Sequence, residues 1–156
     1  MKGQVVDIYI TDDAGRPMRQ VSWVRAVEGK GLEGDRYAEG RGAFTNAKRR
    51  TIRQVSFLAL EDLRRVNTGR EQPFTMADTR RNIVVQGVDL LSLIGREFTV
   101  GSARFRGVEH CSPCARPSVL SGKPGFKEAF HERGGLRAEV LEEGIITTGS
   151  AVATVD

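Results

Sequence analysis

Both cysteines of the chain, and one of its two histidines, fall within eight residues: Glu109-His110-Cys111-Ser112-Pro113-Cys114-Ala115-Arg116. A thiolate is a nucleophile and a ligand for soft metals, and a nearby cation raises the anionic fraction of a thiol at neutral pH. Arg116 and His110 are placed along the chain to do this for Cys114. C-x2-C spacing is compatible with a zinc site, a redox dithiol, or one reactive thiolate that binds a soft metal or carries a persulfide sulfur. A structural zinc site needs four ligands, so His110 and His131 would have to join both cysteines. A thioredoxin-like dithiol belongs to a βαβ alternation that this sequence lacks. The reading without chemistry makes both cysteines small buried apolar side chains, which the polar neighbours His110, Ser112 and Arg116 disfavour.

Two further segments bear polar chemistry. Arg80-Arg81-Asn82, immediately before an apolar run, offers two guanidinium forks and an amide suited to bidentate contact with phosphate or carboxylate. An exposed, solvated strand edge is the equal alternative. Gly31-Leu32-Glu33-Gly34-Asp35-Arg36 could bring backbone amides close to an anion, but it lacks the order of glycines in a Walker or dinucleotide motif, and a plain loop is the simpler reading. His131 reads as a packing or surface histidine without a functional role, and His110 as a residue supporting the cysteines.

Composition limits what these residues can serve. A chain of 156 residues and 17.2 kDa suits one domain spanning 1–156. Net charge is +4, with basic clusters at Lys48-Arg49-Arg50, Arg64-Arg65 and Arg80-Arg81, yet no aromatic residues interleave with them as a base-stacking surface requires. A small anionic ligand is therefore expected over nucleic acid. The first ten residues lack a basic stretch followed by an apolar one, and no run reaches the roughly 18 apolar residues of a membrane span. The expectation is a cytoplasmic protein, without membrane association and with free thiols.

The elements that must position these residues are short strands. Residues 4–10 read as a strand before the turn Asp12-Asp13-Ala14-Gly15-Arg16-Pro17. Residues 21–27 alternate, predicting a half-buried strand with Val21, Trp23 and Val27 inward. Residues 28–50 form a glycine-rich loop long enough to suggest a functional use. A strand over 54–58 leads into a helix over 59–66, with acids early and bases late as the helix dipole favours. Residues 82–85 form a strand, and Asp89 can cap a short helix over 90–94. A hairpin follows, 97–100 and 104–108 around Gly101-Ser102, and runs directly into the cysteines. Residues 123–132 suit a short helix with Phe126, Ala129 and Phe130 inward; strands follow at 136–141, 145–148 and 151–155. Seven or eight short strands with two or three small helices predict a mainly β fold closed as a barrel, since closure removes free edges.

Taken in order, Gly31-Leu32-Glu33-Gly34-Asp35-Arg36, Arg53-Gln54-Val55-Ser56, Arg80-Arg81-Asn82-Ile83-Val84-Val85-Gln86-Gly87-Val88-Asp89-Leu90, Gly95-Arg96, Phe98, Val100-Gly101 and Cys111-Ser112-Pro113-Cys114 resemble the MOSC domain, named after the C-terminal region of molybdenum-cofactor sulfurases. Residues 134–141 with Gly144-Ile145-Ile146 and Gly149 extend the resemblance to the C-terminus. What it implies is a MOSC-type β-barrel, similar to the pyruvate-kinase barrel, and a pocket for the pterin-based molybdenum cofactor. Cys114 matches the family's key cysteine, which carries sulfur or ligates molybdenum; Cys111 is additional. Arg80 and Asn82 match residues that hold the cofactor's anionic end. Arg116 is the substitute for an arginine that precedes the family cysteine and is Pro113 here. Gly34, Asp35 and Arg36 complete the expected binding set. The resemblance also carries the family's general association with catalytic activity and with molybdenum-ion and pyridoxal-phosphate binding. Its implied partners are a cysteine desulfurase for a sulfur carrier, or a separate electron-donor protein for a molybdenum-dependent reductase of N-hydroxylated compounds. A zinc- or nucleic-acid-binding module without catalysis is the alternative of a different class.

Overall fold

In the computed structural model, residues 3–45 and 52–155 are described. Strand β1 (Gly3–Ile10) is followed by β2 (Arg19–Val21), β3 (Trp23–Val27), β4 (Gly31–Leu32) and β5 (Val55–Ala59), then helix α1 (Leu60–Asn67) and β6 (Ile83–Gln86). The hairpin β7 (Glu97–Val100) and β8 (Ala103–His110) precedes helices α2 (Arg116–Ser121) and α3 (Phe126–Ala129). Three strands end the chain: β9 (Leu136–Glu142), β10 (Gly144–Thr147) and β11 (Ala151–Thr154).

The main sheet runs β11-β7-β8-β9-β5-β6-β1, and β1 pairs with β11 to close it into a seven-stranded barrel, with β2 added outside β1. The mainly β, barrel-like fold expected from the sequence is the one observed. One pairing differs from the rest: β5 and β6 are parallel, with Phe57 opposite Ile83. A parallel pair needs a crossover, and α1 supplies it, packing outside the barrel. Because β5 and β6 are covered on both sides, their residues alternate between two cores rather than between core and solvent. Phe57, Ile83 and Val85 point into the barrel with Phe98 and Phe105, whereas Leu58 and Val84 join Leu60, Leu63, Phe74, Phe126 and Phe130 under the helices. Rings of Phe57, Phe98 and Phe105 meet at 5.4–5.6 Å between centroids.

Several sequence expectations change here. Residues 21–27 are not one strand, because the chain breaks at Ser22 and β2 and β3 enter different sheets. The inward set of β3 is Val24 and Ala26, while Trp23 is 59% exposed. Pairing with β10 decides the facing, placing Arg25 outward against Glu143 and Ala26 opposite Gly144 inside. Asp89 makes no side-chain cap on the 3-10 turn Leu90–Leu93. Helix α2 was not expected; Pro117 stands in its first turn, where proline is well suited. Helix α3 is shorter than the expected 123–132, but Phe126 and Phe130 are both fully buried. The long glycine-rich loop contains β4, which pairs with β3. Its basic cluster Lys48-Arg49-Arg50 lies outside the described residues. Among the described residues, no helix is long and apolar enough to cross a membrane.

The observed facing makes a quantitative prediction. Phe57→Ala empties the middle of the barrel and should lower unfolding free energy by about 3–5 kcal/mol. Trp23→Ala should change it by less than about 0.5 kcal/mol, as for an exposed side chain. Urea titrations followed by circular dichroism check both, and a larger loss at Trp23 would restore the sequence-predicted facing.

Candidate functional site

At one end of the barrel, the starts of β5 and β6 and the end of β8 open into a cleft of about 260 Å³. Such a volume is near the lower end of the roughly 300–1,000 Å³ usual for small-molecule sites. Three of the sequence-predicted segments meet on its walls: Arg36 from the glycine-rich loop, Arg80 and Asn82 before β6, and Cys114 with Arg116 before and at the start of α2. Cys111, Ser112, His110 and Glu109 form the wall that continues β8.

Each polar side chain is placed by its own local structure. Asn82 is only 1% exposed, and its amide is committed inside the protein. Its Oδ1 accepts hydrogen bonds from the Ser56 backbone N–H at 3.0 Å and the Ser56 hydroxyl at 3.2 Å, while Nδ2 donates to the Tyr9 carbonyl at 3.1 Å. Asn82 therefore frames the cleft by fastening β1, β5 and β6 together. Arg80 follows the 3-10 turn Ala77–Thr79 in the left-handed region, φ 60°, a conformation that a non-glycine residue adopts at a cost on the order of 1 kcal/mol. Its guanidinium donates to the Ala14 and Arg16 carbonyls, both at 2.8 Å. Arg116 donates to the same Ala14 carbonyl at 2.9 Å. Arg36 donates to the Arg80 carbonyl at 3.2 Å and pairs with Asp35 at 3.0 Å.

Gly34 and Asp35 do not line the cleft. Asp35 is fully buried, accepts from the Thr11 backbone N–H at 3.2 Å and holds Arg36, so its part is to position that guanidinium. Gly34 supplies the positive φ of the turn before it.

Arg36, Arg80 and Arg116 thus gather with mainly neutral carbonyl partners. Burial, and then the charges of Arg36 and Arg116, pull the Arg80 pKa down to about 10. It still carries its proton at neutral pH, and an anion among the three groups would relieve both desolvation and repulsion. Glu109 is the single carboxylate lining the cleft among the described residues, and Arg137 neutralises it.

Two roles were not legible in advance. Arg81 lines the cleft but spends its hydrogen bonds on bracing the cysteine segment, donating to the Gly134 carbonyl at 2.7 Å and the Cys111 carbonyl at 3.1 Å. Gly134 must lack a Cβ because the Cys111 carbonyl occupies that position. Arg53, at the start of the β5 segment, lines the cleft with its guanidinium 4.7 Å over the Phe44 ring, and its Nε is buried without a partner among the described residues. Only its place in the Arg53-Gln54-Val55-Ser56 motif hinted at a use.

The two thiols are free and unequal: Cys111 is buried and Cys114 is half-buried at the cleft. His110 accepts a hydrogen bond at Nε2 from the Gly134 N–H, 3.1 Å away, and burial, with Arg81 next, lowers its pKa from the ordinary 6.5. It is neutral at pH 7, so Arg116 rather than His110 is the cation on the cysteine wall. His131 is 79% exposed, and among the described residues no three His, Cys, Asp or Glu side chains are grouped to hold a metal ion.

A family model for the MOSC domain matches residues 40–153. The chain belongs to the MOSC domain family. Solved structures similar to this MOSC domain include the YuaD protein of Bacillus subtilis, 21% identical with a TM-score of 0.80, covering 97% of this chain and 94% of that one. YiiM of Geobacillus stearothermophilus is 17% identical with a TM-score of 0.71, covering 99% and 75% of the two chains. YiiM of Escherichia coli is 20% identical with a TM-score of 0.71, covering 100% and 70%. At these identities the likeness speaks for the fold. No curated protein matches the MOSC chain.

The state of His110 gives this MOSC domain an acid sensitivity of known sign. Its folded pKa is depressed, so the unfolded chain takes the proton first as pH falls through about 6.5. Its contribution to stability is present above that value and lost towards the lowered one. His110→Gln, which keeps an acceptor that cannot titrate, should therefore show a smaller fall in Tm than the wild type between neutral and mildly acidic pH. Parallel melting curves with identical acid slopes would remove His110 from the account.

Proposed function

We propose that this MOSC domain binds the anionic, pterin-based molybdenum cofactor in the cleft, and that Cys114 is the residue it uses there, as a sulfur carrier or as a molybdenum ligand. The observation that carries this reading is the convergence of a half-buried free thiol with Arg36, Arg80 and Arg116 in one cleft whose single carboxylate among the described residues, Glu109, is already neutralised. The donor set fits such a group. Guanidinium forks match phosphate geometry, and a thiolate is the protein ligand suited to a soft, sulfur-rich metal centre. Arg53, whose buried Nε has no partner among the described residues, adds a fourth guanidinium to the lining of the cleft. When bound, the cofactor supplies a molybdenum centre able to accept thiolate or sulfide ligands.

The chain's own residues then have separable tasks. Arg80 and Arg116 release or share the Ala14 carbonyl and receive the anionic end. Arg81 and Gly134 hold the cysteine segment against the barrel. Cys114 can accept sulfur from a donor such as a cysteine desulfurase: its thiolate attacks the outer sulfur of the donor persulfide, the donor's S–S bond breaks, and the donor leaves as a thiolate. The carrier role needs only a sulfur donor, whereas a reductase role needs electrons delivered by another protein.

Protein purified from a molybdenum-replete host tests this by elemental analysis and by fluorescence of the oxidised pterin. Cys114→Ser should lose molybdenum while Cys111→Ser retains it. Replacing Arg80 or Arg116 with Ala should weaken cofactor retention about 10- to 100-fold, the loss of one charge-assisted contact. Arg64→Ala on the exposed face of α1 is the control and should change nothing. One equivalent of zinc, with neither molybdenum nor pterin, would sink the reading.

A further inference from the structure

We propose that Cys111 is the resolving thiol for Cys114: once Cys114 carries a persulfide, Cys111 attacks it, expels sulfide into the cleft and leaves an internal Cys111–Cys114 disulfide. This rests on the sulfur-carrier reading of Cys114 and gives that reading a release step. Both cysteines are free and line the same cleft, but their exposure differs. Half-buried Cys114 is the thiol a donor can reach, and Cys111, only 6% exposed, is the less accessible of the two.

Backbone geometry favours an exchange between the two. Cys111 is fixed at the end of β8, its N–H donating to the Gly135 carbonyl at 2.9 Å and its carbonyl accepting from Arg81. Residues 112–114 belong to no strand or helix, and the hydrogen bonds of the described residues include none from them. Three chain steps span at most roughly 11 Å when extended. A disulfide needs Cα atoms about 4.4–6.8 Å apart. Pro113, with φ held near −65° by its ring, keeps the link from being fully extended. Closing the pair therefore moves Cys114 against a stationary Cys111 without breaking a ladder hydrogen bond.

The step balances without an outside oxidant. The Cys111 thiolate bonds to the inner sulfur, Sγ of Cys114; the bond from that Sγ to the outer sulfur breaks, and its electron pair leaves on HS⁻. The proton lost by Cys111 goes to water in the cleft. Two cysteines are oxidised by two electrons in total and one sulfane sulfur is reduced to sulfide. The sulfide is released into the cleft that Arg36, Arg80 and Arg116 line. A small dithiol reductant resets the pair by ordinary thiol–disulfide exchange.

The experiment loads the whole chain anaerobically with inorganic polysulfide and follows intact mass and free sulfide. Wild type should release sulfide and end two hydrogens lighter, with peptide mapping joining Cys111 to Cys114. Cys111→Ser should instead keep one added sulfur on Cys114 and release sulfide at least ~10-fold more slowly. Equal lifetimes of the Cys114 persulfide in both proteins would overturn the role of Cys111 and leave the carrier reading standing. Failure of Cys114 to gain sulfur in either protein would overturn the carrier reading and this step with it. Because Cys111 is buried, a measurement without substitution stands beside these: diamide should convert wild type to the internal disulfide, and two thiols still free after that treatment would overturn the proposal.

Discussion

The cleft depends on one side-chain amide. Asn82, immediately before β6, ties that strand to the backbone of β1 and the start of β5 through bonds to Tyr9 and Ser56, and does so while almost completely buried. A buried amide left unsatisfied costs about 1–3 kcal/mol, so each of these partners enforces the others. The parallel pairing of β5 and β6 brings Ser56 beside Asn82, and α1 is the crossover that this pairing demands. Arginines 80 and 81 flank this clamp on the approach to β6, and they leave it in different directions. The Arg80 guanidinium donates to carbonyls of the first loop, and that of Arg81 to carbonyls of Cys111 and Gly134.

A division of labour follows between residues that touch a ligand and residues that hold those that do. Asp35 is buried to aim Arg36, Gly134 lacks a side chain so that Cys111 can approach, and Arg81 spends its donors on carbonyl oxygens rather than on an anion. The two thiols share a motif but not an environment. Cys111 directly follows β8 and is held by a main-chain bond to Gly135 and by the Arg81 guanidinium; Cys114 belongs to a segment that makes no such bonds among the described residues.

Much of this was legible in the chain. Strand and turn positions followed from apolar runs closed by Gly-Ser, Glu-Gly and Asp-Asp-Ala-Gly turns, and β1, β5 to β9 and β11 lie where alternation and punctuation put them. The barrel followed from the number of short strands. The family motifs brought Cys114, Arg80, Arg36 and Arg116 to one place, which spacing alone could not do, because their convergence is a matter of long-range strand pairing. Three kinds of information were out of reach. Parity on β3 depended on a break at Ser22 and a partner 118 residues away, where Arg25 meets Glu143. The facing of Arg81 depended on the carbonyls of Cys111 and Gly134, 30 and 53 residues further along the chain. For Asn82 and Asp35, residue type indicated polar contact but not whether the partner was ligand or protein.

The shared carbonyl of Ala14 has a consequence for how a ligand arrives. Since Arg80 and Arg116 meet dipoles there rather than carboxylates, their charge is solvated by the protein without being cancelled. The mouth of the cleft therefore projects a positive field into solvent, of the kind that would draw in a multiply charged anion before it makes any contact. With a screening length of about 8 Å at physiological ionic strength, that pull acts over little more than the last few water layers. For the binding proposed above, rising salt would slow capture more than it loosens a ligand seated among the buried Arg36 and Arg80 and the half-buried Arg116.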